Sequence, residues 1–193
     1  MIEKDEEKLR LFTGLSLTPS VQEYVVNIVE GLSRCVQGVR WIPSQNLHVT
    51  LKFLGWCLPG QVPMIIDVIK KASAYLPLKL EIGGVGGFPS QGSAKVIWVG
   101  VDDPQGNVQK LSATIESGAE KCGFEREKRP YHPHITVGRA KNKTVRLPGQ
   151  VLRSMAGTMI LEVDDIVLYR SVLERTGAEY SVLERLGPGS KPQ

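Results

Sequence analysis

Cysteine is sparse: Cys35, Cys57 and Cys122 are three in 193 residues, an odd number set far apart, which fits neither a disulfide framework nor a Cys-x-x-Cys metal site. They read as reduced thiols, in the core or near the surface. Long apolar runs are also missing, none approaching the roughly eighteen residues that a membrane span needs. The N-terminal stretch, with Glu3, Asp5, Glu6 and Glu7 interleaved with lysines, has no signal-peptide core. These absences argue against a disulfide-stapled or membrane-spanning protein and make a cytoplasmic, membrane-free protein the expectation; separately, a monomer is expected. What remains is ordinary for a globular chain, 41% hydrophobic and 23% charged. The length suits one domain over 1–193, with an ordered core at about 9–185.

Histidine is scarce too, yet its placement is organised. The chain has three histidines and eight threonines. Two short segments use both in the same way: Asn46-Leu47-His48-Val49-Thr50-Leu51 and Pro133-His134-Ile135-Thr136-Val137. In an extended strand, alternate side chains share a face, so each segment offers an imidazole and a hydroxyl on one side and apolar residues on the other. The offset is 134 minus 48, or 86 residues. Such a repeat points to two similar halves facing each other across a cleft.

The surrounding pattern is α+β. Residues 9–17 alternate as a first strand, and Thr18-Pro19 supplies an N-cap and a first-turn proline for a helix over about 19–33. The first motif strand spans about 47–54 and ends at Gly55. Val62, Ile65, Ile66, Ile69 and Ala72 form a second helical stripe. Leu78–Val85 and Ala94–Val101 read as strands joined by a glycine-rich connection, which matches neither a dinucleotide fingerprint nor a P-loop. A third helix runs from about Gln105 to Lys121, the second motif strand lies near 133–138, and residues 158–170 and 178–184 alternate as late strands. Residues 187–193 read as a frayed tail. Short connections between strands call for largely antiparallel sheets with helices packed outside.

Charge adds a direction. Net charge is +4, but from Arg126 to Arg146 seven basic residues meet one acid, Glu127, so this segment carries +6 and the rest −2. Beside His134, such a cluster favours a phosphate-bearing partner over a merely solvated loop. Two imidazoles suit in-line displacement at phosphorus, one taking a proton from water and the other giving one to the leaving oxygen. Threonine hydroxyls on the same faces hydrogen-bond the non-bridging oxygens. No metal or cofactor is required by this scheme. Lys52 shares the parity of His48 and Thr50, so it meets either a phosphate or solvent, while Phe53 falls on the core side. Parity also sends Arg139 away from His134 unless Gly138 supplies a bulge.

At these residues the chain resembles the two-histidine (2H) phosphoesterases with paired H-x-T-x motifs, and within them the LigT-like RNA 2',3'-cyclic phosphodiesterases, also called 2'-5' RNA ligases. The likeness covers about 9–185. It includes Arg10-Leu11-Phe12, Val39-Arg40-Trp41, the run from Asn46 to Gly55, Phe88-Pro89, Val96 to Gly100, the segment from Pro133 to Thr136 with Arg139, and Leu168-Tyr169-Arg170-Ser171. The resemblance implies two pseudo-symmetric lobes and metal-free opening of an RNA-terminal 2',3'-cyclic phosphate to a 2'-phosphate. His48 would be the acid protonating the 3' oxygen, His134 the base activating water, and Thr50, Thr136 and Arg139 the phosphate holders. Joining of RNA ends through a 2'-5' bond would be a minor activity. Two alternatives stay open: a zinc hydrolase with His48, His132 and His134 as ligands, and a module that binds phosphorylated RNA ends without cleaving them.

Overall fold

The computed structural model describes residues 7–149, 152, 157–174 and 177–189. Of the expected tail, Ser190 to Gln193 lie outside the described residues. Strand β1 (Leu9–Ser16) leads to helix α1 (Pro19–Cys35), where Thr18 Oγ1 accepts from the Val21 amide at 3.4 Å and Val21, Val25, Ile28 and Leu32 are buried at helical spacing. Then come β2 (Val39–Trp41), β3 (His48–Cys57), α2 (Val62–Ala72), β4 (Leu78–Ser90) and β5 (Ser93–Asp102). Helix α3 (Asn107–Lys121), β6 (His134–Ala140), β7 (Thr158–Val163), β8 (Ile166–Glu174) and β9 (Gly177–Leu186) follow.

The strands form one antiparallel path, β7-β4-β5-β6-β3-β1-β8-β9, with β2 added alongside β6. Its middle is a seam: β3 and β6 are joined through one register pair, Val49 opposite Ile135. On either side lie the halves β7-β4-β5-β6 and β3-β1-β8-β9, each presenting one motif strand to the seam. The helices cross over. Helix α1, though it follows β1, reaches the other half, where Tyr24 Oη donates to Gly157 O at 2.6 Å. Helix α3 follows β5 yet packs on β3, with Ser112 Oγ donating to Leu51 O at 3.2 Å. This exchange locks the halves together and keeps the opposite sheet face for the cleft.

Three expectations are corrected. Gly55 does not end β3, which runs on to Cys57; the strand absorbs a register shift in which Leu11 faces Gly55 and Phe12 faces Phe53, with Gly55 at φ 77°. The glycine-rich stretch is not a connection but the body of β4. A Cβ on Gly86 would sit 2.1 Å from the Trp98 indole, so glycine lets that ring lie across the strand. The stretch 158–170 is two strands, broken at Asp164-Asp165.

Candidate active site

The seam sets the geometry. With Val49 opposite Ile135 in an antiparallel pair, the adjoining positions place His48 across from Thr136 and His134 across from Thr50. Val49 and Ile135 are fully buried, so the two imidazoles and two hydroxyls occupy the other, cleft face. Two ladder steps and one interstrand spacing put the histidine Cα atoms roughly 8 Å apart on register alone.

Both motif strands then bulge at the same place. Against β1, Thr13 faces Lys52 and Gly14 faces Thr50, so Leu51 is the extra residue; against β5, Ile97 faces Gly138 and Trp98 faces Thr136, so Val137 is. Each bulge reverses the parity of the residues beyond it. Leu51 and Lys52 are both buried on the helix side, and Phe53 turns to the cleft, 53% exposed. Val137 and Gly138 are likewise both buried, and Arg139 turns out beside His134, whose proton affinity its charge lowers. Gly138 thus lies in the bulge that brings Arg139 round. The parity reading of its counterparts is corrected: Lys52 meets neither the cleft nor solvent, and Phe53 is not in the core.

Lys52 instead makes an ion pair. Its Nζ lies 2.7 Å from Glu116 Oε1 on α3 and donates to Glu125 O at 2.9 Å. Glu116 Oε1 also accepts the Glu127 amide, and Tyr131 Oη donates to Thr50 O at 3.0 Å. The segment leading to His134 is therefore tied to the strand that carries His48. Sequence reasoning missed Tyr131, whose signal lay in long-range contact rather than spacing.

Each imidazole is oriented by the carbonyl two residues before it. His48 Nδ1 lies 2.7 Å from Asn46 O and His134 Nδ1 lies 2.6 Å from His132 O, contacts that put a proton on Nδ1 and leave Nε2 for the cleft. His48 Nε2 is 2.9 Å from Thr50 Oγ1, which donates to it when the imidazole is neutral. Burial pushes the His48 pKa down to about 4, the Asn46 carbonyl pulling it up and the charge of His134 adding to the fall. His134 is lowered as well, first by burial, then opposed by the His132 carbonyl and assisted by the charges of His132 and Arg139.

Aromatic rings back both groups. Phe12 lies 4.8 Å from His48 by ring centroids, with Tyr169 and Tyr180 at 5.8 and 5.4 Å from the same imidazole. Phe88 stands edge-on to His134 at 5.1 Å, and Trp98 is 6.4 Å away. Gly14 is required beside His48, because a Cβ there would lie 2.7 Å from Val49 O and 3.4 Å from the imidazole Cδ2. Tyr169 stood in the sequence only as part of the Leu168–Ser171 resemblance, with no role attached, and Tyr180 carried no signal beyond strand alternation.

The basic cluster is divided. Arg129 is chelated by Glu127 through contacts of 3.0 and 2.7 Å, which hold the Glu127 carboxyl down at about 2, and Arg126 lies 3.5 Å from Glu120. Arg139, Lys141, Lys143 and Arg146 pair with no acid among the described residues. Also among the described residues, no group of three or more His, Cys, Asp or Glu side chains is arranged to hold a metal ion. The geometry that a three-histidine zinc site needs is therefore not formed by His48, His132 and His134.

A profile of the 2'-5' RNA ligase superfamily matches residues 19–172. The chain belongs to that superfamily. Within reach of this 2'-5' RNA ligase superfamily member are two archaeal relatives, each named RNA 2',3'-cyclic phosphodiesterase. The protein of Archaeoglobus fulgidus is 33% identical over 177 residues, covering 91% of this chain and 98% of that protein. The protein of Methanothermobacter thermautotrophicus is 32% identical over 183 residues, covering 92% and 97%. Two crystal structures show the same fold. TT0787 of Thermus thermophilus superposes with a TM-score of 0.76 at 24% identity, over 93% of this chain and 97% of the other. Escherichia coli LigT complexed with 3'-AMP gives 0.76 at 23% identity, over 95% of this chain and 100% of the other. No described helix is long and apolar enough to cross a membrane.

Proposed function

We propose that this chain is an RNA 2',3'-cyclic phosphodiesterase that opens a terminal cyclic phosphate to a 2'-phosphate, with the protons moved by the paired histidines. The observation that carries the reading is the register of the seam, which sets two H-x-T segments antiparallel on one cleft face. The superfamily and the names of the archaeal relatives support the substrate class.

The neutral His134 imidazole, its Nδ1 proton held by His132 O, takes a proton from water through Nε2 as that water attacks phosphorus. On the far side the P–O3' bond breaks, and His48 Nε2–H gives its proton to the departing 3' oxygen. The 2' oxygen keeps the phosphate. Thr50, Thr136 and Arg139 hold the non-bridging oxygens, where charge gathers in the transition state. In the free protein His48 holds a proton weakly, which makes its imidazolium a strong acid. The anionic substrate beside it offsets the burial and returns the proton.

Replacement of water by a 5' hydroxyl lets the same groups join two RNA ends through a 2'-5' bond, and water's far higher concentration keeps joining minor. The test is incubation of the protein with an oligoribonucleotide ending in a 2',3'-cyclic phosphate, without added metal. A 2'-phosphate product is the expected result; an intact cyclic end, or a 3'-phosphate, would overturn the reading.

A further inference from the structure

Val39, Arg40 and Trp41 of β2 lie opposite Ala140, Arg139 and Gly138 of β6. Directly opposed residues of an antiparallel pair share a face, with Cα atoms about 5 Å apart, so Arg40 stands beside Arg139. That face is the cleft. Val39 is buried in the core and, with Trp41, crowds Gly138 from the helix side, whereas Arg139 acts on His134. A backbone bond from the Lys141 amide to Gly38 O, 2.9 Å, extends the pairing by one step and sets Lys141 on the same face beyond the two arginines.

Arg40 and Lys141 are exposed, and neither these two nor Arg139 has an ion pair or side-chain hydrogen bond with a described residue. Like charges directly opposed on one sheet face repel. The cations nearer the start of the basic cluster do not share this property, since Arg126 and Arg129 already have Glu120 and Glu127. An unanswered row of three cations thus leads away from His134 along one strand pair. It runs toward an open cavity of about 440 Å³ lined by Gly38, Lys141, Asn142 and Lys143 among others.

Spacing identifies the anion. Because Val137 is taken up in the bulge, Thr136 and Arg139 are two ladder steps apart, and Arg40 lies one interstrand spacing beyond Arg139, its Cα roughly 8 Å from that of Thr136; with Arg139 committed to the cyclic phosphate beside His134, Arg40 stands about one nucleotide step from it. We infer that Arg40, assisted by Lys141, binds the internucleotide phosphate that precedes the cyclic end, so that the site selects an oligoribonucleotide over a cyclic mononucleotide. This rests on the proposed activity for the identity of the RNA end. The cation row itself does not depend on the chemistry.

The experiment compares wild type, R40Q and K141Q on 2',3'-cyclic AMP and on a short oligoribonucleotide with a cyclic phosphate end. In parallel, fluorescence polarisation follows binding of the same oligoribonucleotide carrying a 2'-phosphate end, at low and physiological salt. In R40Q the ratio of kcat/KM for oligonucleotide over mononucleotide should fall roughly 5- to 10-fold, and binding should weaken by a similar factor. The slope of log affinity against log salt should shrink by about 0.7, the value for one phosphate contact on a single strand. K141Q should move each quantity in the same direction by less. An unchanged ratio together with an unchanged salt slope in R40Q overturns the inference. Failure of the wild type to open either cyclic phosphate overturns the activity instead; the binding series then decides this inference alone, upheld by a loss in R40Q and overturned by none.

Discussion

Lys52 Nζ lies 2.7 Å from Glu116 Oε1, on the opposite side of β3 from His48 and Thr50 although strand parity puts all three together. One extra residue, Leu51, separates the two outcomes. The Lys52 side chain is 3% exposed and that of Glu116 18% exposed, so Lys52→Met leaves a half-desolvated carboxylate without its cation. Stability should fall by about 2–4 kcal/mol in urea denaturation, as for breaking one side of a buried pair. A variant of wild-type stability that had only lost affinity for substrate would instead place Lys52 at the phosphate.

His48→Ala and His134→Ala should each lower turnover of a cyclic-phosphate oligoribonucleotide by roughly 10²- to 10⁴-fold, the range for positioned proton-transfer groups, with circular dichroism unchanged. Full activity in either would remove that residue from the mechanism.

The pH dependence of kcat/KM reports the free enzyme. One histidine has to be charged and its partner neutral, and both hold protons less tightly than an ordinary histidine, His48 at about 4. The profile should therefore be a bell with its acid limb near 4 and its alkaline limb below 6.5, falling as pH rises toward 8. The two limbs belong to the coupled pair and do not say which histidine is the acid. In kcat the alkaline limb should shift upward, because the bound anion favours the imidazolium. A kcat/KM flat between pH 6 and 8 would contradict the depressed proton affinities.

Burial of His48 also has a thermodynamic consequence. Its folded pKa of about 4 lies below the ordinary 6.5, so between those values the unfolded chain binds the proton and the folded one does not. Stability is fully present above 6.5 and is lost as pH falls toward 4, by about 2–3 kcal/mol. His48→Asn should lose correspondingly less between pH 7 and pH 4.5, measured by denaturant midpoints. Equal losses in variant and wild type would show that other groups carry the acid sensitivity.

Much of the molecule is legible in the chain itself. Thr18-Pro19 and the stripe from Val21 to Leu32 define α1 within two residues of its end, since capping and helical burial are local properties. The doubled H-x-T spacing likewise fixes, by strand alternation alone, that His48 faces with Thr50 and His134 with Thr136. A bulge is different: it exists between two strands, and whether Leu51 or Val137 is the extra residue depends on β1 and β5, each distant in sequence from the strand it shifts. The glycines of β4 escape a local reading for a related reason, because what makes them strand is their pairing with β5 and β7, and the Trp98 ring that lies over Gly86 comes from that neighbouring strand β5. Local periodicity determined which side chains travel together. Only the pairing of β3 with β6 and the crossing of α1 and α3 decided which groups meet, since register and packing are energies shared between segments that the chain order does not bring into contact.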